Sequence, residues 1–431
     1  MNNVKNIKLA VVGLGYVGLP LAVAFGKTKI APVTGFDISK IRIKELKQNF
    51  DRIQEVEKKD LIKSKVRYTY KPKDLKQADF IVVAIPTPIN KSKKPNLAYI
   101  KSASKIIGQN LKKGAVIVFE STVYPGLTEE ICGPIVEKYS GLKVKKDFKL
   151  GYSPERINPG DKKHTVETIV KIISAQDKKT LNTIEKIYGL ICKAGLYKAP
   201  NIKTAEAAKV IENVQRDLNI ALVNELSLIF SKMDLDIKEV MKAAATKWNI
   251  QYFEPGLVGG NCIPKDPHYL TYKAQQLGYY PKIILAGRKI NEYMPYHVAN
   301  LTLESLKRAD KKIRGSKVLV MGLTFKENCK DYRNSRIENT IKKLKNKGCQ
   351  IFGYDPFLSK EEINTFGVKP VLNLSKNPKK FDAIILSVIH NQFKKLSLND
   401  LKKINSSPLI LIDIKGHFRK QKKDNLIYKT L

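Results

Sequence analysis

Short apolar runs alternate along the chain with longer mixed stretches that leave room for helices. Before residue 200, such runs occur at 7–12, 33–37, 80–85, 115–121, 148–153 and 168–174. Apolar runs of this length, separated by possible crossover helices, are typical of strands that are buried on both faces of a parallel sheet. We therefore predict a doubly wound parallel α/β domain, in which ligands bind at the carboxyl ends of the strands.

The pattern changes after residue 200. From Thr204 to Met233 apolar residues recur at helical spacing, and neither Gly nor Pro interrupts them. This stretch predicts one helix of about 45 Å, which could link two domains or pack against a second subunit. Strand-like runs then return at 317–325, 349–355, 381–388 and 408–413. We expect two Rossmann-like parallel-sheet domains joined by a long central helix, with domains at 1–200, 201–309 and 310–431.

A glycine-rich turn separates the first predicted strand from an apolar helix. It reads Gly13-x-Gly15-x-x-Gly18, a fingerprint in which glycines permit a tight turn, let the backbone approach a pyrophosphate and allow close helix packing. The next strand ends in Asp37, where an acid is expected to bind the ribose diol. An acid at this place favours NAD over NADP, so the first domain is predicted to bind NAD.

The second predicted sheet begins with a similar turn that lacks the fingerprint. Gly322 matches Gly13, but Thr324 and Glu327 stand where Gly15 and Gly18 stood. These side chains would block the close approach of a pyrophosphate. The second domain is therefore expected to bind something other than a dinucleotide, which makes it the predicted substrate domain.

The charge of the chain is its one unusual compositional feature. Lys and Arg number 79 against 40 Asp and Glu, for a net charge of +39. Such a charge fits a nucleic acid or an anionic small substrate. The basic residues are spread over the whole length, however, so we expect most of them to be solvated and a minority to bind phosphates, with no nucleic-acid partner. No apolar run is long enough to span a membrane and no signal peptide is recognised, so a cytosolic protein is expected.

Five cysteines and five histidines carry the candidate thiol and metal chemistry. The cysteines form no CxxC pair, and no two histidines have the spacing of a metal site, so free thiols and no metal are expected. A cysteine taken alone is more often a core residue, and this interpretation is kept for four of them. They are Cys132, Cys192, Cys329 and Cys349.

Cys262 is different because of the loop around it, "GLVGGNCIPKDPHYL". Gly259 and Gly260 leave the backbone open, while Lys265 and Asp266 supply a cation and a proton acceptor beside the thiol. In a protein that binds NAD, this cysteine suggests oxidation through a covalent thiohemiacetal and a thioester to a carboxylic acid.

Several motifs in one order identify a family that the chain resembles over nearly its whole length. They are "VVGLGYVGLP", "FDI", "IPTP", "ESTVYPG", "SPERINPG", "AAKVIENVQRDLNIALVNEL", "VGGNCIPKDPHYL" and "GLTFKENCKDYRNS". The chain resembles the UDP-glucose/UDP-N-acetyl-mannosamine dehydrogenase family, whose members oxidise C6 of a nucleotide sugar from alcohol to acid and use NAD twice. The resemblance implies a UDP-sugar substrate, at least a homodimer built on the long helix, and a product for capsule or O-antigen synthesis.

The resemblance also implies roles for individual residues. Cys262 would be the nucleophile, and Lys209 and Asn213, one helical turn apart, would stabilise an oxyanion or orient a water. Asp266 would accept a proton or position a water. Glu155 would assist hydrolysis of the thioester, and Thr122 would position the reacting water.

Simpler interpretations of three of these residues stay open from the sequence. Thr122 can end a strand, Asp266 can cap a helix, and Glu155 can pair with Arg156. For the cofactor the resemblance implies Gly13, Gly15, Tyr16, Val17, Gly18, Asp37, Arg42, Pro86, Thr87 and Thr122. For the substrate it implies Glu155, Arg156, Arg216, Gly259, Lys326 and Arg333.

The identity of the sugar depends on motifs that point two ways. "SPERINPG" and "ENVQRDLNIALVNEL", with Arg156 and Arg216, resemble the branch that acts on UDP-N-acetylhexosamines, whereas "CIPKD" resembles the UDP-glucose branch. We expect UDP-N-acetylglucosamine or UDP-N-acetylgalactosamine as substrate, with UDP-glucose and UDP-N-acetylmannosamine as alternatives. A basic NAD-binding interaction protein without catalysis is the alternative from another class.

Overall fold

The structure, a computed structural model, describes residues 6–30, 32–90, 92–156, 165–374, 380–421 and 425–431. It divides into two units. The first consists of Met1–Glu212 with His268–Tyr279, and the second of Asn213–Pro267 with Tyr280–Leu431.

The first unit is built on an eight-stranded sheet. Its strands are β1 Leu9–Val12, β2 Val33–Phe36, β3 Val66–Thr69, β4 Phe80–Val83, β5 Val116–Phe119, β6 Lys149–Tyr152, β7 Lys171–Ala175 and β8 Leu196–Lys198. They lie in the order β3-β2-β1-β4-β5-β6-β7-β8, and every neighbouring pair is parallel except β6 with β7. The antiparallel pair was not predicted, because side chains alternate with the same period in both kinds of strand pairing.

Helices cover both faces of this sheet. They are α1 Gly18–Gly26, α2 Lys40–Lys47, α3 Lys58–Lys63, α4 Ala98–Gln109, α5 Gly133–Ser140 and α6 Lys178–Tyr188. On β1, Leu9 and Val11 pack into one apolar cluster, and Ala10 and Val12 pack into another on the opposite face. The central strands β1, β4 and β5 are therefore apolar and buried at every position, which explains their uninterrupted runs in the sequence.

The predicted central helix is present. Its helical part, α7, spans Ile202–Phe230, and a 3₁₀ turn continues it over Ser231–Met233. The helix ends at Asp234, which has a left-handed φ of 56°. Three further helices follow in the chain: α8 Ile237–Ala244, α9 Asp266–Gln276 and α10 Lys282–Arg308.

A second sheet of six strands forms the centre of the second unit. Its elements are β9 Lys317–Met321, α11 Ile337–Asn346, β10 Gln350–Tyr354, α12 Lys360–Asn364, β11 Lys369–Pro370, β12 Ala383–Leu386, α13 Leu398–Ile404, β13 Leu409–Asp413 and β14 Leu426–Thr430. The order is β11-β10-β9-β12-β13-β14, and all pairs are parallel. Because this is the Rossmann order 3-2-1-4-5-6, which the first six strands of the other sheet also follow, the prediction of two Rossmann-like domains is confirmed.

The strands that the sequence did not predict lie at the sheet edges. They are β3 and β8 in the first sheet and β11 and β14 in the second. Their residues are mostly half-buried or exposed, so they do not form the apolar run that marks a central strand. In the part of the chain that the structure describes, no helix has the length and apolar character to cross a bilayer.

Candidate active site

A cavity of about 300 Å³ opens at the carboxyl ends of the central strands of the first unit. The glycine turn forms one wall. Gly13 has a φ of +91°, and a Cβ on Gly18 would lie 1.8 Å from the carbonyl oxygen of Gly13, so helix α1 packs directly on the turn. Gly15 lines the cavity, and a Cβ there would meet no atom within 4 Å. The turn thus offers open backbone and a helix N-terminus, the environment that a pyrophosphate requires.

Asp37 lies in the same cavity and is held by backbone groups. Its Oδ2 accepts a hydrogen bond of 2.9 Å from the N–H of Leu14, and its Oδ1 accepts one of 2.8 Å from the N–H of Ser39. The carboxylate is therefore fixed where an acid of a Rossmann domain binds the ribose diol. Arg42 is buried behind the turn, where it donates to the carbonyl of Leu14 and pairs with Asp51 at 2.8 Å.

The two predicted loops that follow β4 and β5 meet in the structure. Thr87 Oγ1 donates a hydrogen bond of 2.7 Å to the carbonyl of Thr122, and the N–H of Ile85 donates to Ser121 Oγ at 3.0 Å. Pro86 lines the cavity. Tyr16 and Val17 are half-buried in the glycine turn.

The thiol loop of the second unit packs against Phe325. A Cβ on either Gly259 or Gly260 would come within 2.9 Å of atoms of this phenylalanine, and Gly260 has a φ of +86°. The two glycines are therefore required for packing as well as for backbone access, which the sequence did not reveal. Cys262 is half-buried, and its carbonyl accepts hydrogen bonds from the N–H groups of Lys265 and Asp266 at 3.0 and 2.9 Å.

Side-chain hydrogen bonds hold this loop. Asn213 Nδ2 donates to Asp266 Oδ2 at 2.5 Å, and both residues are buried. Lys265 Nζ donates to Asn261 Oδ1 at 3.0 Å. Burial lowers the pKa of Lys265, and Arg333 and Arg336 lower it further, whereas Cys262 acts in the opposite direction. A lysine of lowered pKa beside a thiol can take part in proton transfer.

A second cavity, of about 250 Å³, opens at the carboxyl ends of β9 and β12. The strand order reverses between these two strands, and ligands of open α/β sheets bind at such a point. The walls include Gly259 of the thiol loop and three cationic residues. The cationic residues are Lys326, Arg336 and Lys415.

Comparison with known proteins identifies the family. Residues 7–191 match the NAD binding domain of the UDP-glucose/GDP-mannose dehydrogenase family, residues 203–293 its central domain, and residues 319–420 its UDP binding domain. The chain belongs to the UDP-glucose/GDP-mannose dehydrogenase family. It is therefore an NAD-dependent UDP-sugar dehydrogenase, as the sequence motifs predicted.

Individual relatives of this dehydrogenase share nearly the full chain. It is 47% identical over 422 residues to UDP-N-acetyl-D-glucosamine 6-dehydrogenase of Pseudomonas aeruginosa, which covers 97% of this chain and 99% of the relative. It is 49% identical over 414 residues to Protein CapL of Staphylococcus aureus, and the match covers 95% of this chain and 96% of the relative. The structure of UDP-D-ManNAc dehydrogenase from Pyrococcus horikoshii matches with a TM-score of 0.88 at 29% identity, covering 98% of this chain and 99% of that one.

NAD is the cofactor of the family, and the residues of the first cavity fit it. Gly15 leaves room for a pyrophosphate, and Asp37 presents a fixed carboxylate. Among the described residues no group of three or more His, Cys, Asp and Glu could hold a metal ion, and His164 lies outside them.

The dehydrogenase contains a buried polar network behind Glu155. Lys171 Nζ lies 2.7 Å from Glu120 Oε2 and donates to the carbonyl of Pro154 at 3.1 Å, and Tyr188 Oη donates to Glu120 Oε1 at 2.5 Å. Sequence analysis did not single out these residues. A lysine within the apolar run of β7 is a signal that could have found them, because a buried cation needs an anionic partner.

Arg156 uses its backbone and its side chain for different partners. Arg156 donates its backbone N–H to Glu155 Oε1 at 2.6 Å, but its guanidinium pairs with Glu212 at 2.8 Å and donates to the carbonyl of Val170. The guanidinium of Arg156 thus serves Glu212 and Val170, while its backbone N–H serves Glu155. The motif that contains them continues at residue 157, outside the described residues.

The remaining predicted residues lie in different surroundings. Lys209 is buried one helical turn before Asn213 on α7, whereas Arg216 is exposed on the same helix. Arg333 is fixed by two hydrogen bonds from its guanidinium to Asp331, at 2.8 and 2.7 Å, and does not line the second cavity. Cys329 is half-buried, so its assignment to the core was wrong.

The sequence did not identify Lys415 and Arg336 as cavity residues. Burial lowers the pKa of Lys415, which follows β13 in the chain. Its position just past a strand end, in a sheet whose ligands collect there, is the signal that could have found it.

Proposed function

We propose that this dehydrogenase oxidises C6 of UDP-N-acetylglucosamine to the carboxylic acid through a covalent intermediate on Cys262. The observation that carries the proposal is the relation between Gly259 and Cys262. Gly259 lines the cavity that contains three cationic residues, and Cys262 follows three residues later on the same turn. A thiol beside a pocket suited to a diphosphate favours a nucleotide sugar as its substrate.

The reaction consists of two oxidations and one hydrolysis. When bound, NAD would supply the hydride acceptor for both oxidations, and in each of them the hydroxyl group on C6 also loses its proton, which passes to solvent. The thiolate of Cys262 adds to the carbonyl carbon of the aldehyde and forms a thiohemiacetal, which loses the second hydride and becomes a thioester. Water then attacks the thioester carbon, the carbon–sulfur bond breaks, and the carboxylic acid and the free thiol are released.

Cys262 needs neighbours that orient it and stabilise charge. Asp266, fixed by Asn213, is proposed to accept the proton that leaves during addition of the thiol or of water. Asn213 and Lys209 are proposed to stabilise the oxyanion of the tetrahedral intermediates. Glu155 and Thr122 are proposed to activate and position the hydrolytic water.

The diphosphate is proposed to bind the cationic residues of the second cavity. Lys415 is half-buried and is not among the salt bridges of the described residues, and Lys326 and Arg336 line the same walls. Phosphate oxygens would supply the anions that these side chains need. The family motifs suggest further contacts with the substrate. We propose that these are made by Arg156, Arg216 and Arg333.

The N-acetylglucosamine group is supported by the relatives. The chain is 47% identical to an enzyme named for UDP-N-acetyl-D-glucosamine and 29% identical to one named for UDP-D-ManNAc. We further propose that the product enters capsule synthesis, as the likeness to Protein CapL suggests, with O-antigen as the alternative destination.

The protein is proposed to act as a homodimer. Leu222 and Ile229 lie seven residues apart on one face of α7 and are 56% and 47% exposed. A second copy would bury this apolar stripe. Light scattering of the wild type and of Leu222→Glu tests the proposal, since a dimer that uses this face should dissociate in the variant.

A panel of four UDP-sugars, assayed by NADH absorbance, tests the function. We expect two NADH per molecule of UDP-N-acetylglucosamine, and slower turnover of UDP-N-acetylgalactosamine, UDP-N-acetylmannosamine and UDP-glucose. Faster turnover of another sugar would overturn the choice of substrate. No NADH from any of them, together with tight, salt-sensitive binding of nucleic acid, would favour a non-catalytic interaction protein.

A further inference from the structure

The second strand of the second sheet, β10, is followed by an acid, Asp355, as the second strand of a Rossmann sheet usually is. The surroundings of this acid differ from those of Asp37 in the first unit. Asp355 follows β10 as Asp37 follows β2, and each accepts a hydrogen bond from the N–H of the residue after the turn glycine, Leu323 at 2.7 Å and Leu14 at 2.9 Å. Asp37 lines a cavity, whereas Asp355 is 3% exposed. The carboxylate that would bind a ribose in a dinucleotide domain is therefore withdrawn from the cavity here.

His390 covers this carboxylate. Its Nε2 lies 3.1 Å from Asp355 Oδ2 and 3.3 Å from Thr324 Oγ1, and its Nδ1 accepts a hydrogen bond of 3.0 Å from the backbone N–H of Asn328. Since a backbone N–H can only donate, Nδ1 carries no proton, and the ring proton is on Nε2, where it faces Asp355. Both ring nitrogens thus have defined partners, and the ring is fully buried.

The two side chains hold both ends of one loop, Leu323–Asn328. Asp355 Oδ2 accepts hydrogen bonds from the N–H groups at the start of the loop, of Leu323 at 2.7 Å and Thr324 at 3.2 Å, while His390 binds Asn328 at its end. Within the loop, Thr324 Oγ1 donates to the carbonyl of Lys326 at 2.9 Å. Four successive residues of the loop line the second cavity: Thr324, Phe325, Lys326 and Glu327.

We infer that Asp355 and His390 are a positioning pair for the nucleotide, which fixes the loop Leu323–Asn328 so that Phe325 and Lys326 are ordered before the ligand binds. The inference rests on the proposed function of the second cavity. Neither member of the pair lines the cavity, so both act through the loop backbone. Ordering the loop in advance removes a cost that binding would otherwise bear.

Three substitutions separate the hydrogen bonds of His390 from its packing. His390→Asn keeps an acceptor near the position of Nδ1, and His390→Gln keeps a donor near the position of Nε2. His390→Phe removes both polar groups but retains a ring against Phe357 and Phe393, whose centroids lie 4.9 and 5.2 Å from that of the histidine. The exposed His417 of the same unit supplies the matched control, His417→Phe.

UDP alone is the probe, because its binding requires neither NAD nor the thiol. We expect the Kd of UDP and the KM of the UDP-sugar to rise about tenfold in His390→Phe and less in the Asn and Gln variants. The KM of NAD should stay unchanged, and His417→Phe should match the wild type. A purely structural role would lower Tm without changing the Kd of the folded protein.

The outcomes distinguish the inference from the function on which it rests. An unchanged Kd of UDP in folded His390→Phe, measured well below its Tm, would overturn the inference while leaving the UDP site intact. If His390→Phe does not fold, unchanged UDP affinity in both the Asn and Gln variants would overturn it equally. A wild-type protein that binds no UDP would instead refute the proposed role of the cavity.

Discussion

The side-chain amide of Asn213 donates a hydrogen bond of 2.5 Å to the carboxylate of Asp266, and both side chains are buried. Asp266 also donates its backbone N–H to the carbonyl of Cys262 at 2.9 Å. The turn that carries the thiol is thereby tied to helix α7 through one pair of side chains. The pair fixes the backbone of the turn that carries the proposed nucleophile. It also fixes the carboxylate of Asp266, which follows Cys262 by four residues in the chain.

Replacing Cys262 with Ser should abolish formation of the acid. The hydroxyl is not ionised near neutral pH and cannot form the thioester, so we expect kcat to fall by about a thousandfold or more. NADH release and mass spectrometry of the sugar product measure the effect. Cys329→Ser, at the other half-buried cysteine of the second unit, is the control and should behave as the wild type. Full activity of Cys262→Ser, with the acid as product, would refute the covalent mechanism.

Asp266→Asn tests the charge of the acid separately from its packing. The new side chain has the same shape and can still accept from Asn213, so the free energy of unfolding should change by less than about 1 kcal/mol, whereas kcat should fall about a hundredfold. Asn213→Ala is the complementary variant. It leaves the buried carboxylate without that donor and should cost about 1–3 kcal/mol of stability. Thermal unfolding and steady-state rates measure both, and an unchanged kcat in Asp266→Asn would exclude the proposed proton transfer.

The sequence predicted the centre of each sheet better than its edges. Central strands such as β1 and β12 are buried at every position, which produces uninterrupted apolar runs. The edge strands β3 and β14 face solvent on part of their surface, so polar and apolar residues are mixed along them and no apolar run marks them. The glycine turn was predictable for a related reason, since its conformation is dictated by three residues that are close together in the chain.

Contacts between distant parts of the chain could not be predicted in the same way. His390 lies 62 residues after Asn328, and nothing local marks it as the residue that binds that loop. Lys415 looked like one of many solvated lysines, and only the packing of β13 beside the cavity distinguishes it. The motifs located the thiol turn, but the need for glycine at 259 and 260 became apparent only with Phe325 against them.

Asp37→Asn should weaken the binding of NAD without affecting UDP. Backbone N–H groups of Leu14 and Ser39 donate to both oxygens of the carboxylate, and an amide nitrogen would face one of these donors. We expect the KM of NAD to rise about tenfold and the preference over NADP to shrink. Asp60→Asn, in the same unit but outside the cavity, is the control. A KM of NAD that stays at the wild-type value would show that Asp37 does not bind the cofactor.

Lys415→Met should stabilise the protein while weakening its affinity for UDP. Burial lowers the pKa of Lys415 below its usual 10.5, Glu254 and Glu327 oppose the shift, and Lys238 adds to it. The folded state thus holds the lysine proton less tightly than the unfolded state. The resulting cost is fully present at neutral pH, declines as the pH rises through the folded-state pKa, and is gone above about pH 10.5.

The Tm of Lys415→Met should therefore exceed that of the wild type by a few degrees near pH 8, with a smaller difference near pH 10. Its Kd for UDP should rise about tenfold, because a phosphate loses its cationic partner. Lys420→Met, at an exposed lysine of the same unit, is the control for removal of a charge. Calorimetry measures both quantities, and a variant with wild-type affinity for UDP would remove Lys415 from the site.

Lys171→Met should be the most destabilising of these changes. Lys171 and Glu120 are buried 2.7 Å apart, and removal of the cation leaves the carboxylate uncompensated, at a cost of about 3–5 kcal/mol. The double variant Lys171→Met/Glu120→Gln removes both charges and should recover most of that loss in denaturant unfolding.

Lys171 also donates a hydrogen bond to the carbonyl of Pro154, next to Glu155 in the chain. If Glu155 takes part in hydrolysis of the thioester, the double variant should therefore release the acid more slowly than the wild type. Equal stability of the single and double variants would show that the ion pair does not determine the stability of this network.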